Sequence, residues 1–261
     1  MSVALVCAGS AGCAATDVEP TPEAVTIGVA AAPSLAEAFT EIITAFEAEH
    51  PNVTVSMELG RSHQIAEGLS ERTDINIFAS ASEESMATAE AEGTVSDPTV
   101  FARNHVVVAV PSGNPLGIAG LADFAREGVR VGLCDPTVPC GRAGDTLLSE
   151  ANIVPTDVTR SPGSRALTSQ LADNRVDVGI VYRTDVASSR GWVTQAEVSE
   201  VERELARSAG TTRYVLARVP AGDAGEAAQS EATASDEFVD LVLSSRGRTA
   251  LLNSGLEAIP G

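Results

Sequence analysis

The chain is expected to be an α/β protein of two lobes, each a mostly parallel sheet flanked by helices. Three observations lead there. From Val25 onward, short apolar strands alternate with amphipathic helical patterns, the order that builds parallel sheets covered on both faces. The alternation comes in two sets, parted by the breakers Pro111-Ser112-Gly113-Asn114-Pro115, a cluster that ends regular structure. At 261 residues the chain suffices for one large domain or two lobes.

In the first set, Val25–Ala30 is a strand. Ser34–Glu49 is a helix with Leu35, Ala38, Phe39, Ile42, Ile43 and Phe46 on one face, the 3.6-residue period of a core-facing helix. Asn52–Leu59 alternates with Val53, Val55 and Met57 on one side and predicts a strand. A helix over about Ser62–Ser70, a strand Ile75–Ala79 and a helix around Glu83–Glu92 follow, then one long apolar strand, Phe101–Val110. The second set holds a helix near Leu121–Arg126, strand Val129–Leu133, helix Gly141–Ala151, helix Arg165–Asp173 and strand Val176–Tyr182. Tyr214–Val219 is a further strand, Gly222–Ala234 a small-residue acidic loop, and Asp236–Arg246 and Gly247–Asn253 are helical.

Aromatic residues are scarce, so the core is expected to rest on Ala, Val, Leu and Ile. The net charge is −19, and all 17 basic residues are arginine. A chain so acidic lacks the clustered cations that nucleic acid or an anionic membrane surface requires, so neither is expected as a partner. Ser2–Gly12 is apolar and ends at Cys13. It is too short to span a bilayer but resembles the apolar part of a secretory signal. Ser10-Ala11-Gly12-Cys13 resembles a lipobox, with Ser10 where an aliphatic residue is usual, and makes Cys13 the expected lipidation site. Thr16–Glu23 reads as a solvated tether.

Cys134 and Cys140 are then the cysteines of the folded part. In an oxidising compartment they are candidates for a disulfide; two free thiols or half of a metal site are the alternatives. His50, His63 and His105 show no ligand spacing, and no metal site is expected. No Gly-x-Ser-x-Gly elbow, P-loop lysine or Gly-x-Gly-x-x-Gly occurs, and an enzyme is not expected.

Four helix starts point in one direction. Ser34 precedes Glu37 in capping-box spacing, Ser62 follows Gly60, Cys140-Gly141 closes the Pro-rich loop after Leu133, and Ser164 follows Pro162-Gly163. Each alone is an ordinary cap. Together they stand where ligands of α/β sheets bind, beyond the carboxyl ends of strands, and helix starts carry free N–H groups that favour anions. Two lobes facing each other across such starts would enclose a small oxyanion.

Several segments resemble the molybdate-binding proteins of ABC importers, members of the type II periplasmic binding protein family. They are Ala30–Phe39, Ile77–Ala81, Val100–Asn104, Val110–Leu116, Cys134–Gly141 and Gly179–Asp185. The similarity runs in order from about Val25 to about Gly255. It implies a two-lobed fold joined by a two-crossing hinge, with residues 25–105 and 215–261 in lobe 1, 106–214 in lobe 2, and 1–24 as leader and tether. It implies anion-binding roles for Ser34 and Ser62 (hydroxyl and amide), Cys140 and Ser164 (backbone N–H) and Tyr182 (hydroxyl). The ligand implied is molybdate or tungstate, with no cofactor. The partner implied is an ABC permease, and the setting is extracytoplasmic, as a monomer held to the membrane only through lipid. Sulfate, thiosulfate or an anion-sensing role are the alternatives. The chain departs from the family pattern at Arg61 and His63 around Ser62, at Pro33 before Ser34, and at Asn76 where an aspartate is usual; these changes bear on anion preference.

Overall fold

The computed structural model describes residues 24–220 and 225–259. β1 (Val25–Ala31) passes through a 3-10 turn (Pro33–Leu35) into α1 (Ala36–Glu49). Next come β2 (Val53–Leu59), α2 (Ser62–Gly68), a second 3-10 turn (Leu69–Glu71), β3 (Ile77–Ser80), α3 (Glu83–Ala91) and β4 (Ser96–Asn104). The chain then crosses. β5 (Val106–Pro111), a 3-10 helix (Leu121–Ala125), β6 (Val131–Cys134), α4 (Pro139–Glu150), β7 (Val158–Ser161), α5 (Ser164–Ala172), β8 (Val178–Tyr182), α6 (Arg183–Ser188), β9 (Val193–Gln195) and α7 (Glu200–Gly210) follow. It returns through β10 (Thr212–Arg218) to α8 (Glu226–Leu243), α9 (Ser245–Asn253) and β11 (Glu257–Ala258).

Two sheets result, of order β11-β4-β10-β3-β1-β2 and β7-β6-β8-β5-β9. β1 pairs in parallel with β2 and β3, and β6 with β7 and β8. These parallel blocks carry the helix starts of interest. The strands next to the crossings run antiparallel, β10 against β3 and β4, and β5 against β8 and β9.

The long apolar run Phe101–Val110 is not one strand. It breaks at His105, with β4 in the first sheet and β5 in the second. Both halves are buried, so hydrophobicity alone could not mark the break. Glu226–Ala234 belongs to α8 rather than to a loop; alanine is the best helix former, and Phe238, Val239 and Val242 anchor the helix in the core. The structure also adds β7, α6, β9, α7 and β11 to the expected elements.

Aromatics contribute more to the core than their scarcity suggests. All six phenylalanines are at most 2% exposed. Phe39, Phe46, Phe101 and Phe238 meet edge-on or tilted at 5.3–6.3 Å between α1, α8 and the first sheet, the separations at which aromatic pairs attract beyond their burial. The second sheet packs on aliphatic side chains around Phe124, Leu133, Leu147 and Ile180.

Asn76 has a structural role at the far end of the first sheet. It precedes β3, and its Oδ1 accepts the Gly28 N–H at 2.7 Å. A Cβ on Gly28 would lie 1.8 Å from the Asp74 carbonyl oxygen. The amide stitches β1 to β3 where the backbones approach too closely for any side chain. It stands at the opposite end of β3 from the helix starts, so its departure from aspartate does not touch the candidate site.

Candidate functional site

The carboxyl ends of β1, β2 and β3 lead to Ser34, Ser62 and Ala81; those of β6 and β7 lead to Cys140 and Ser164, and β8 ends on Tyr182. None of the three serines caps its helix. Ser34 sits inside the 3-10 turn behind the N-cap Ala32, while Ser62 and Ser164 follow the N-caps Arg61 and Gly163; these ends carry no side-chain cap bond. The capping box suggested by Ser34 and Glu37 therefore does not form. A serine that leaves its helix uncapped has its hydroxyl free for another partner.

Those partners are specific. The Ala81 N–H donates to Ser62 Oγ at 3.0 Å. That bond fills an acceptor site on Ser62 and leaves its proton to be given away. Ser34 Oγ lies 2.7 Å from Tyr214 Oη. The Ser164 hydroxyl is turned toward Asp185, so what Ser164 presents outward is its backbone N–H, one of the donors a first helical turn leaves unpaired. The Thr212 hydroxyl is turned toward Tyr182. Burial pushes the Tyr182 and Tyr214 phenols above their ordinary range, so both keep their protons at neutral pH. Burial also raises the Asp185 carboxyl, while Ser164 and the Tyr182 backbone pull it back down. Asp185 is thus a buried carboxyl group beside Ser164 and Tyr182.

Cys140 is the second residue of α4, after Pro139. The proline has no N–H and its φ suits a first helical position. The loop before it is pinned from several sides. Cys134 and Cys140 form a disulfide with Cα atoms 5.8 Å apart. The Asp135 N–H donates to Ser161 C=O at 2.7 Å, and Asp135 Oδ1 accepts from Thr137 N–H at 2.9 Å and Thr137 Oγ1 at 2.6 Å. Arg160 and Arg142 donate to the carbonyls of Cys134 and Thr137. Cys140 packs in one cluster with Tyr182 and Val138. The Val131–Arg142 peptide, released by cleavage after arginine, carries both cysteines. It is expected to gain two hydrogens on reduction, and two alkylated thiols without prior reduction would rule the bond out.

Ser34, Ser164, Tyr182 and Cys140 are thus joined through Tyr214, Asp185 and shared packing. Ser62 joins from the side through Ala81, at the end of β3. Cys13 lies outside the described residues. Arg61 and His63 are exposed, and Arg61 lines a 290 Å³ groove with Glu58, Gln64 and Arg72 on the flank of β2. Arg165 reaches from α5 to the Pro33 carbonyl at 3.5 Å, a contact between the two halves beside Ser34. Asn104, Thr184 and Tyr214 carry no site signal of their own in the sequence. Tyr214 is 180 residues from Ser34, and only the return of β10 beside β3 brings it there.

Two sheets joined by two chain crossings, with helix starts at the carboxyl ends of their parallel strands, define a two-lobed binding-protein fold. Residues 27–257 match the bacterial extracellular solute-binding proteins, and the chain belongs to that family. It is 31% identical over 253 residues to the molybdate-binding protein ModA of Mycobacterium tuberculosis, covering 96% of this chain and 92% of that protein. Among solved structures, a substrate-binding domain from Clostridium difficile superposes with a TM-score of 0.75 at 18% identity, over 90% of this chain and 99% of that one. The periplasmic molybdate-binding protein of Azotobacter vinelandii gives 0.65 at 15% identity, over 90% and 100%. These structures share the two-lobed fold.

Proposed function

We propose that this protein captures molybdate, and tungstate with it, between its lobes and delivers it to an ABC permease. One observation carries the reading. The serines at the strand ends spend no hydroxyl on helix capping, and Ser62 is held so that its proton has no acceptor among the described residues. Molybdate and tungstate are unprotonated dianions at neutral pH that accept hydrogen bonds and donate none, so they match a set of donors. Ser34 and Ser62 would donate through hydroxyl and amide, Cys140 and Ser164 through backbone N–H, and Tyr182 through its phenol. Charge-assisted hydrogen bonds contribute about 1.5–3 kcal/mol each. About six of them reach micromolar affinity or better after desolvation and ordering costs. Sulfate is excluded by size, which the disulfide-pinned loop helps to fix.

The first lobe comprises residues 25–105 and the chain from β10 onward, and the second comprises the chain between. The lobes close about the crossings at His105 and Thr211. The family is one of extracellular binding proteins, and no helix among the described residues is long and apolar enough to cross a membrane. We place this protein outside the cell membrane as a monomer, tethered through lipid on Cys13. A thermal-shift panel of tetrahedral oxyanions tests the ligand. At a hundred times its dissociation constant a ligand stabilises by about 2.7 kcal/mol, which for a chain of this size raises the melting temperature by about 5–10 °C. Molybdate and tungstate are expected to do so and sulfate and phosphate are not. A larger shift with sulfate would assign the site to sulfate instead.

A further inference from the structure

We infer that Tyr214 and Asn104 are positioning residues of this site, which turn the Ser34 proton into the cleft and couple that orientation to lobe closure. The inference rests on the anion-binding reading above.

Tyr214 and Asn104 are each 2% exposed. The Tyr214 ring is held edge-on against Phe101 at 6.4 Å, and its Oη lies between Ser34 Oγ at 2.7 Å and Asn104 Nδ2 at 3.4 Å. An amide NH₂ can only donate, so Tyr214 Oη accepts from Asn104, and the arrangement we infer has the phenol giving its own proton to Ser34 Oγ. Ser34 then holds a filled acceptor site, and among the described residues its own proton has no other partner. Ser62 reaches the same state through the Ala81 N–H. The two serines differ in what sets them. Ser62 is fixed by backbone within its own sheet, while Ser34 is fixed by side chains at the crossing. Hydrogen bonds in such a chain polarise one another, so a donor at one end strengthens the donor at the other.

The chain of donors extends across the lobes. Asn104 Nδ2 also donates to Thr184 Oγ1 at 2.9 Å, and Thr184 stands on α6 beside Asp185. Asn104 is the last residue of β4, immediately before the crossing. Its Oδ1 is buried without a partner among the described residues. Any change in the angle between the lobes that moves Thr184 alters how Asn104 is held, and through Tyr214 how Ser34 points.

Calorimetry with molybdate on wild type, Tyr214→Phe, Ser34→Ala and the double variant tests this. Phenylalanine keeps the ring and its packing and removes only Oη. Tyr214→Phe is expected to weaken molybdate about tenfold, the loss of one charge-assisted bond, while the melting temperature without ligand stays close to wild type. The double variant is expected to bind as weakly as Ser34→Ala alone, because Tyr214 acts only through Ser34. Wild-type affinity in Tyr214→Phe, or a double variant whose loss is the product of the two single losses, would overturn the inference while leaving the anion site standing. A wild type that binds none of the panel's oxyanions would overturn both.

Discussion

Gly141→Ala is expected to lose stability and anion affinity together. A Cβ on Gly141 would lie 1.9 Å from the Asp135 carbonyl oxygen and 3.0 Å from that of Cys134. Both obstacles are backbone, and the disulfide, the Thr137 contacts and the bond from Asp135 to Ser161 hold that backbone in place. The start of α4 must therefore move away from the end of β6 and carry the Cys140 N–H with it. Overpacking against a fixed partner costs about 1–3 kcal/mol and more where relief is blocked. We expect a loss of about 2–4 kcal/mol in urea unfolding and at least about a hundredfold in molybdate affinity, since a misplaced rigid donor loses its bond and obstructs its neighbours. Gly163→Ala is the control. Its Cβ would meet nothing within 4 Å, and its backbone is extended. Stability there should fall by no more than about 1 kcal/mol, the scale of an N-cap residue replaced by alanine. Equal stability in the two variants would remove the close approach at Gly141 as the cause.

Ser34→Ala combined with Ser62→Ala is expected to remove most of the affinity and little of the stability. Two charge-assisted bonds amount to about 3–6 kcal/mol, more than a hundredfold in dissociation constant. Had either serine been a helix cap, its loss would cost about 1 kcal/mol of folding stability. Neither caps, so the ligand-free variant should unfold at nearly the wild-type urea concentration. A variant that binds molybdate as wild type does would take both serines out of the site. One that is destabilised without losing affinity would return them to a structural role.

Much of the site is legible locally because each expected position is announced by its neighbours. Pro139 before Cys140, Gly163 before Ser164 and Gly60 before Ser62 mark where a strand ends and a helix begins. The sequence does not say whether such a serine caps its helix or faces a ligand. Ser34 shows this: its spacing to Glu37 satisfies the capping-box pattern, yet the 3-10 turn displaces it and Tyr214 takes its hydroxyl. The break at His105 was hidden for a related reason. Periodicity reports burial, and β4 and β5 are buried in different sheets. α7 opens on a capping box of Ser199 and Glu202, but only Ala206 of the helix is fully buried, and its many charged residues mask the apolar period.

The sequence by itself determined the alternation of strands and helices, the strand ends at which donors emerge and the cysteine-clipped loop, because backbone preference and side-chain period act over a few residues. The tertiary structure decided the bonds of the serine hydroxyls. The groups that set them, Tyr214 for Ser34 and Ala81 for Ser62, arrive through sheet pairing at separations of 180 and 19 residues. A hydroxyl's direction depends on whichever donor fills its lone pair, and no local pattern records that donor.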